Sequence, residues 1–330
     1  MTNNSSPLRR LAPWLLILML AAFPLFAPQL GLAYYVGFVR RLLIIMIAAQ
    51  SLNFLIGTGG MVALGHAGFM GAGAYVLIAL SDAGVDSAWL LWLSALIGSG
   101  LVAALIGAVA LRTQGVYFIM ITLAFAQMLY YVAVSLRRYG GDDGYTMLSR
   151  PLLGTGLGVA EGNTLYWWVL IVVVMVFVLL SRVSNSRYGK ALTGIRHNET
   201  RMHALGYPVY ALKLCAFSAT GALAGLSGAL LVTHNAFVSP SMMHWSQSAT
   251  MIVMLVIGGI GRRWGALVGV LVWMGMEEIF RQWTEYWHWP LGALLIGIVI
   301  YAPEGISAWL GPRALASRAS TSGRVEGAKS

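Results

Sequence analysis

The chain has 330 residues, of which 58% are hydrophobic and only 10% are charged, and its formal net charge is +10. A soluble domain carries about 25% charged residues, so this composition excludes an ordinary water-soluble protein. A basic sequence can bind nucleic acid, but in a membrane protein the excess Lys and Arg lies mainly in cytoplasmic loops, and we predict no nucleic-acid partner.

Ten apolar segments follow one another along the chain, and such segments are typical of helices that cross a lipid bilayer. A span needs about 20 residues at a rise of about 1.5 Å each, and most of the segments qualify. The second and eighth are short, and the third is rich in glycine. We therefore predict an all-α, polytopic integral membrane protein with about ten transmembrane helices (about eight to ten). The segments lie near 11–30, 42–57, 62–80, 89–111, 115–136, 165–183, 209–232, 246–261, 264–280 and 288–303.

The first segment follows Arg9 and Arg10, as the core of a signal peptide would. Its apolar run is longer than the usual signal core of about 7–15 residues, and no clean small-x-small cleavage site follows it. We interpret it as an uncleaved span.

Glycines are concentrated between Gly57 and Gly73. Small residues let helices approach closely, and glycine allows a helix to break where it lines a cavity. Tight packing explains most of these glycines, whereas the run Gly57-Thr58-Gly59-Gly60 predicts a helix break. Gly221, Gly225 and Ala229 repeat at intervals of four residues in the seventh segment and predict a second close packing face.

The longest outer loop, residues 137–164, contains "RYGGDDGYTM". Its glycines allow positive φ angles, and Asp142 and Asp143 can accept hydrogen bonds in tight turns. Two carboxylates fall short of the spaced ligands of a calcium-binding loop. We predict a structured turn here.

The stretch "NSRYGKALTGIRHNETRMHALG", residues 185–206, is charged although it lies between two apolar segments. Ser186 is a plausible N-cap, and Gly206 followed by Pro208 is a strong stop signal. The pattern predicts a short amphipathic helix over about 186–206, either a linker resting on lipid headgroups or a docking helix for a soluble cytoplasmic partner. Its predicted apolar face consists of Tyr188, Leu192, Ile195, Met202 and Leu205.

The domain prediction is one transmembrane domain over residues 1–311 and a disordered basic cytoplasmic tail over 312–330, because the tail is small and polar. With the N-terminus in the cytoplasm and alternating spans, all but six of the 21 Lys and Arg residues lie on the cytoplasmic side. This excess predicts cytoplasmic N- and C-termini. The six exceptions are Arg40, Arg41, Arg137, Arg138, Arg150 and Arg281.

Motifs for catalysis, metal binding and nucleotide binding are not found in the sequence, and the single Cys215 excludes an intramolecular disulfide. We therefore predict that the chain is not an enzyme. An ion-coupled carrier places ionisable groups deep in its spans, whereas the acids here lie at segment ends and His66 is the main ionisable group inside an apolar run. Energy for transport, if any, is therefore expected to come from elsewhere.

Four stretches resemble the permease subunits of bacterial branched-chain amino acid ABC importers, specifically the LivM type. The third is the most specific, and together they span most of residues 50–308. They are "LIGTGGMVALGHAGFMGAGAY", "RYGGDDGY", "SRYGKALTGIRHNETRMHALGYPVYALKLCAFSATGALAGLSGALL" and "VIGGIGRRWGALVGV" with the later "APEGI".

The resemblance implies that the charged segment is a coupling helix seated in a groove of a cytoplasmic ATPase subunit, with Leu192, Ile195 and Met202 packed there and charged residues at the rim. ATP would be bound by the partner subunits, so no cofactor is expected on this chain. The coupling residues so implied are Arg187, Gly189, Lys190, Leu192, Ile195, Arg196, Glu199, Leu205 and Gly206.

The resemblance also implies partners: a LivH-type permease subunit, two cytoplasmic ATPase subunits, a periplasmic substrate-binding protein and the lipid bilayer of the bacterial inner membrane. The implied function is ATP-driven import of branched-chain amino acids. A urea or short-chain amide ABC permease is the alternative within the superfamily, and an ion-coupled secondary transporter or a channel is the alternative outside it. Candidate residues of the translocation path are Gly59, Gly60, His66, Gly140, Gly141, Asp142, Asp143 and Gly144.

Overall fold

The computed structural model describes residues 20, 22–24, 26, 33–147, 150–153, 163–283, 286, 288–302 and 305–309. Within these residues the chain forms eleven α-helices, four short 3₁₀ turns and two strands of two residues each. The predicted all-α class is confirmed. The first apolar segment falls almost entirely outside the described residues, and the predicted tail falls wholly outside them.

The helices are numbered in chain order, and the longest two have 27 residues each. They are α1 (Ala33–Gly59), α2 (His66–Asp82), α3 (Ala88–Ala110), α4 (Val116–Ser135), α5 (Thr164–Asn185), α6 (Arg187–His197), α7 (Glu199–Ala204), α8 (Val209–Asn235), α9 (Trp245–Gly258), α10 (Gly265–Trp283) and α11 (His288–Tyr301). The strands β1 (Tyr145–Thr146) and β2 (Phe237–Val238) pair antiparallel.

Five of the described helices are long and apolar enough to cross a membrane: α1, α3, α4, α5 and α8. The apolar α9 and α11 are shorter. The second predicted segment, near 42–57, is not short: it belongs to α1, which begins at Ala33 because the apolar character extends through "AYYVGFV" before Arg40. The eighth segment does give a short helix, α9, with 14 residues. These helices confirm a polytopic membrane protein.

The two longest helices lie in the interior of the bundle. In the most apolar part of α1 and α8, 83% and 78% of the residues are buried, compared with 22% in α4. Packing between membrane helices depends on close fit, because lipid is as apolar as the side chains. The outer helices α3, α4 and α5 therefore present wide apolar faces outward.

Glycines of α8 bring its backbone against two neighbouring helices. A Cβ added at Gly225 would lie 1.9 Å from Ser99 Oγ of α3, and one at Gly228 would lie 1.9 Å from the carbonyl oxygen of Met70 in α2. At Gly221 the nearest atom is Ala103 Cβ, at 2.3 Å. The predicted packing face of the seventh segment is confirmed, because no larger residue fits at these positions.

The predicted helix break is present. Helix α1 ends at Gly59, Gly60 has φ +69°, and α2 begins only at His66. Side chains of other helices accept hydrogen bonds from backbone amides of this interruption and of the first turn of α2: Leu64 N donates to Thr122 Oγ1 and Ala67 N to Ser248 Oγ, at 3.2 and 2.9 Å. Irregular backbone is tolerated in a membrane protein where such partners replace the missing helical bonds.

A second interruption follows α8. Ala236 has φ 53°, and β2 and a 3₁₀ turn (Pro240–Met243) precede α9. The Met243 side chain lies over Gly71, where an added Cβ would be 2.0 Å from Met243 Cγ. The two interruptions therefore lead into short helices, α2 and α9, that contact each other inside the bundle.

Candidate functional site

The connecting segment, residues 186–206, joins α5 to α8 as two helices rather than the single one predicted. Ser186 caps α6, its Oγ accepting from Gly189 N, and Asn198 caps α7, its Oδ1 accepting from Arg201 N at 2.8 Å. Asn198 has an extended backbone, with φ −158° and ψ 101°. Asn favours cap positions because its side chain replaces a missing helical bond. This competing cap explains why the predicted helix is interrupted.

The apolar face of the connecting segment is turned towards the protein's own bundle. Leu192, Ile195 and Met202 are 0%, 3% and 9% exposed. The expectation that these three side chains pack in a partner's groove is therefore wrong for this conformation. Leu205 was predicted on the same face, yet it is 65% exposed. It follows the end of α7, so the helical spacing that places it inward no longer applies.

Two residues hold the start of α6 against α5 and α8. A Cβ at Gly189 would lie 2.4 Å from the carbonyl oxygens of Val183 and Ser184, so only glycine fits. The Tyr188 hydroxyl donates to the carbonyl oxygen of Leu212 at 2.8 Å. Burial, with a smaller contribution from Cys215, raises the pKa of Tyr188. Gly189 is thus a packing residue and does not present a surface to a partner.

Arg196 links the connecting segment to the break in α1. Its guanidinium donates to the carbonyl oxygen of Gly57, and its aliphatic carbons lie over Gly60, where an added Cβ would be 2.7 Å from Arg196 Cγ. Two groups of residues that the sequence treats separately, the coupling residues and the glycine break, are therefore in direct contact.

A second link joins α7 to α8. Lys213 Nζ and Glu199 Oε2 are 2.6 Å apart, and the two side chains are 13% and 29% exposed. A partly buried, hydrogen-bonded ion pair is stronger than a fully exposed one. Glu199, which was predicted to contact a partner, therefore forms an ion pair within its own chain.

The exposed face of the connecting segment is charged at its start and mixed at its end. Arg187 and Lys190 are exposed, as are Gly206 and Leu205 of the predicted set. Tyr207, which is 44% exposed beside Leu205, was not predicted from the sequence. The signal available was its position after the stop signal Gly206, whose φ is +80°.

A polar cavity of about 280 Å³ opens between α1, α5, α6 and the turn 259–264; we name it the segment-side cavity. Gln50 and Asn53, 8% and 4% exposed, line it from α1. Asn53 also holds the turn, donating to the carbonyl oxygen of Arg262 at 2.9 Å and accepting from Gly261 N at 2.8 Å. Neither residue was predicted from the sequence, although two side-chain amides three positions apart in an apolar run are a recognisable signal.

A second cavity of about 300 Å³ lies near the other end of α1, beside the β1–β2 hairpin; we name it the hairpin-side cavity. It combines polar groups, among them Arg41, Asn235 and Gln247, with an apolar wall. Such a cavity suits a small molecule that carries both a carboxylate and an aliphatic group. The apolar wall is formed by Ile45, Met70, Leu231, Phe237, Met242, Met251 and Met254.

The glycine-aspartate loop forms the predicted structured turn at the hairpin end. Gly140, Gly141 and Gly144 all have positive φ, and a Cβ at Gly144 would lie 2.5 Å from the carbonyl oxygen of Val238. Asp142 and Asp143 are exposed; the Asp143 amide donates to the carbonyl oxygen of Gly140 at 3.2 Å, whereas neither carboxylate bonds another described residue. No group of metal-binding side chains occurs among the described residues.

Asp82 ties the end of α2 to this turn. It accepts from the Tyr145 hydroxyl at 3.1 Å and pairs with Arg138 at 3.2 Å. The bond to Asp82 is the main reason why the pKa of Tyr145 is raised. The hairpin end is therefore a compact polar cap on the bundle.

His66, predicted well inside an apolar run, is the first residue of α2. It is 0% exposed, and neither ring nitrogen has a hydrogen-bond partner among the described residues. Its ring meets Phe69 edge-on, with centroids 5.9 Å apart. The candidate path residues thus occupy three places. Gly59 and Gly60 lie near Arg196, His66 lies at the start of α2, and the turn 140–144 lies near the other end of α2, a helix about 24 Å long.

Comparison with known proteins identifies relatives over most of the chain. A family model described as "Branched-chain amino acid transport system / permease component" matches residues 34–302. The "High-affinity branched-chain amino acid transport system permease protein LivM" of Escherichia coli (strain K12) is 27% identical over 292 residues, covering 80% of this chain and 68% of the relative; the protein of that name in Salmonella typhimurium (strain LT2) gives the same values.

A more distant organism also has a relative. The "Probable branched-chain amino acid transport permease protein LivM" of Methanocaldococcus jannaschii is 27% identical over 184 residues, covering 49% of this chain and 52% of the relative. No solved structure matches the chain.

Proposed function

The chain belongs to the family of branched-chain amino acid transport system permease components, and we propose on that basis that it is the membrane-spanning permease subunit of an ATP-driven importer of branched-chain amino acids. Its relatives of that name are permease proteins of such transport systems. In this proposal the chain forms part of the translocation path and catalyses no chemical step, while ATP is bound and hydrolysed by partner subunits.

The proposal rests on the two different faces of the connecting segment. One face carries exposed charges, including Arg187 and Lys190, and the other is bonded to the spans. A docking segment needs both properties, since it must receive force from a soluble ATPase and transmit it to helices in the membrane. We propose that two ATPase subunits serve the complex and that one docks on this face, with Leu205 and Tyr207 as its apolar contacts.

Arg196 and Glu199 are the transmitting residues in this proposal. Arg196 bonds Gly57 at the end of α1, and Glu199 pairs with Lys213 of α8. Helices α1 and α8 each lead into an interruption followed by a short helix. A displacement of the connecting segment therefore reaches both interruptions, which supports alternating access of the kind that rigid segments and hinges produce.

The outward face of α4 supports a second permease subunit. Tyr117, Met120 and Tyr131 are 73%, 61% and 66% exposed. We propose that a LivH-type subunit covers this face and that a periplasmic binding protein delivers substrate to the hairpin end, where Asp142 and Asp143 are exposed. The complex would then lie in the bacterial inner membrane with the connecting segment and both termini in the cytoplasm.

The hairpin-side cavity is the proposed transit site. Its Arg41 guanidinium suits the substrate carboxylate, and its aliphatic wall suits a branched side chain. Urea and short-chain amides both lack a carboxylate to pair with Arg41, so this cavity favours an amino acid over the urea or amide alternative.

The test is purification of tagged protein from its native membrane in mild detergent, followed by reconstitution of whatever co-purifies. We expect a second permease and ATPase subunits, and ATP-dependent uptake of leucine when the associated binding protein is added. Uptake of urea instead of leucine would replace the proposed substrate. A protein free of any ATPase, with uptake that follows an ion gradient, would contradict the proposed class.

A further inference from the structure

A groove of about 430 Å³ lies on the outer surface of the bundle, between the end of α5 and the turn 259–264; we name it the basic groove. Its polar residues include Arg182 and Arg263, both exposed. Neither forms an ion pair with a carboxylate among the described residues. Two uncompensated guanidinium groups facing one groove favour an anionic ligand. The other lining residues are Phe177, Val178, Ser181, Asn185 and Ser186.

An apolar stripe leads along α5 to this groove. Ile171, Met175 and Val178 are 52%, 56% and 43% exposed. They precede Arg182 at intervals of four, three and four residues, so all four side chains lie on one face of the helix. Because α5 is long and apolar enough to cross a membrane, an exposed apolar stripe on it is suited to contact hydrocarbon, and this stripe ends at Arg182.

The groove also has an aromatic pair of the kind that is found at the membrane–water interface. The Phe177 and Trp264 rings stack with centroids 4.6 Å apart and an interplanar angle of 31°. Trp side chains favour the depth of lipid headgroups. Ser181 Oγ is buried at the same place and has no hydrogen-bond partner among the described residues. The groove is thus lined by a hydroxyl, two arginines and the Phe177 ring, which packs on Trp264, at the end of an apolar stripe.

We propose that the basic groove binds an anionic phospholipid. The headgroup phosphate lies between Arg182 and Arg263, with the Ser181 hydroxyl as a further donor, and one acyl chain follows the stripe on α5. Guanidinium groups bind phosphate oxygens with paired, charge-assisted hydrogen bonds. Basic pockets between membrane helices are suited to acidic headgroups. A zwitterionic lipid is disfavoured, because its own cationic group opposes the arginines.

This lipid site goes beyond transport of a particular substrate. The groove shares Ser181, Asn185 and Arg263 with the segment-side cavity, whose turn is held to α1 by Asn53. A bound headgroup therefore ties the end of α5 to that turn. We expect the lipid to stabilise this end of the bundle whatever molecule is transported.

The experiment uses the full chain, with its co-purified partners, in nanodiscs of phosphatidylcholine with or without phosphatidylglycerol. Retained lipid is counted by native mass spectrometry, and the midpoint of thermal unfolding is measured in parallel. The variant is Arg182→Gln with Arg263→Gln. The control is Arg112→Gln. Arg112 is exposed and follows α3, and the end of α3 contacts α8 through the hydrogen bond that the Tyr210 hydroxyl donates to the carbonyl oxygen of Ala108.

Wild type and the control are expected to retain phosphatidylglycerol and to unfold at a higher temperature in its presence. The double variant should retain about tenfold less, because it loses the charge-assisted bonds. Should the double variant fail to fold, Arg182→Lys with Arg263→Lys keeps the charge and is expected to show an intermediate loss. Equal retention by the double variant and the control would overturn the proposal. If soluble glycerol phosphate stabilises the protein equally, the groove binds a free anion instead. If the double variant loses the co-purified ATPase subunits but retains the lipid, the groove is a protein contact.

Discussion

Arg196 bonds a residue 139 positions away in the chain. Its position in a charged segment suggests a surface contact, whereas its guanidinium reaches the carbonyl oxygen of Gly57 and its carbons cover Gly60. A helix that ends at Gly59 leaves carbonyl groups without intrahelical partners, and a cationic donor is well suited to bond one of them. The side chain therefore both completes the end of α1 and connects it to α6.

Replacing Arg196 with Gln is expected to uncouple the proposed transporter. The lost bond is the direct contact between α6 and the end of α1, so substrate uptake per ATP is expected to decrease about tenfold. Uptake and ATP hydrolysis are measured together in proteoliposomes. Arg187→Gln serves as the contrasting variant, because Arg187 is exposed and should affect ATPase recovery instead. Normal coupling in Arg196→Gln would remove this bond from the mechanism.

Gly189 is limited by steric contact with backbone. Gly189→Ala places a Cβ 2.4 Å from two carbonyl oxygens of α5 and should lower the free energy of unfolding by about 1–3 kcal/mol. Thermal unfolding in detergent measures the effect. The matched control is Gly275→Ala, since an added Cβ there meets no atom within 4 Å. Similar midpoints for the two variants would show that α6 packs less closely on α5 than described.

At the scale of elements, the apolar residues of the connecting segment that pack on the bundle precede, in the chain, those that are exposed to a partner. Buried Leu192 and Ile195 anchor α6, whereas the apolar side chains available to a partner come after α7. A substitution such as Leu192→Asp therefore tests folding, because it buries a charge at a fully enclosed position. Docking is tested at the exposed end of the segment.

Leu205→Asp combined with Tyr207→Asp is expected to reduce recovery of the ATPase subunits about tenfold or more, since exposed apolar anchors dominate binding energy at interfaces. The unfolding midpoint should change little, because the side chains are 65% and 44% exposed. Leu136→Asp at the hairpin end, 38% exposed, is the matched control. Undiminished recovery of ATPase with the double variant would place the docking surface elsewhere.

At the scale of the whole molecule, the two ends of the bundle differ in construction. One end carries the connecting segment and the turn 259–264, and the other carries the short β1–β2 hairpin with its exposed aspartates. The family membership and the spans make the chain a multi-pass membrane protein. Its orientation in the membrane is a prediction that rests on the distribution of Lys and Arg.

Single cysteines test that orientation in whole cells on a Cys215→Ala background. We expect Asn198→Cys to react with a thiol reagent only after the inner membrane is permeabilised, and Asp143→Cys to react without it, since both positions are exposed at opposite ends. The unsubstituted background provides the control. The reverse pattern of labelling would invert the proposed topology and place the connecting segment out of reach of a cytoplasmic ATPase.

The amino-acid sequence by itself determined the helical class, the membrane environment, the helix break at the glycine run 57–60 and the Ser186 cap, because these depend on composition, periodicity and local hydrogen bonding. Only the tertiary structure decided which of the coupling residues are exposed, that Arg196 meets Gly57, and that Asn53 holds the turn 259–264. These contacts join residues far apart in the chain, and the Asn198 cap was enough to interrupt the helical spacing that placed Leu205 on the apolar face. Local patterns carry no information on which distant backbone group a long side chain will reach.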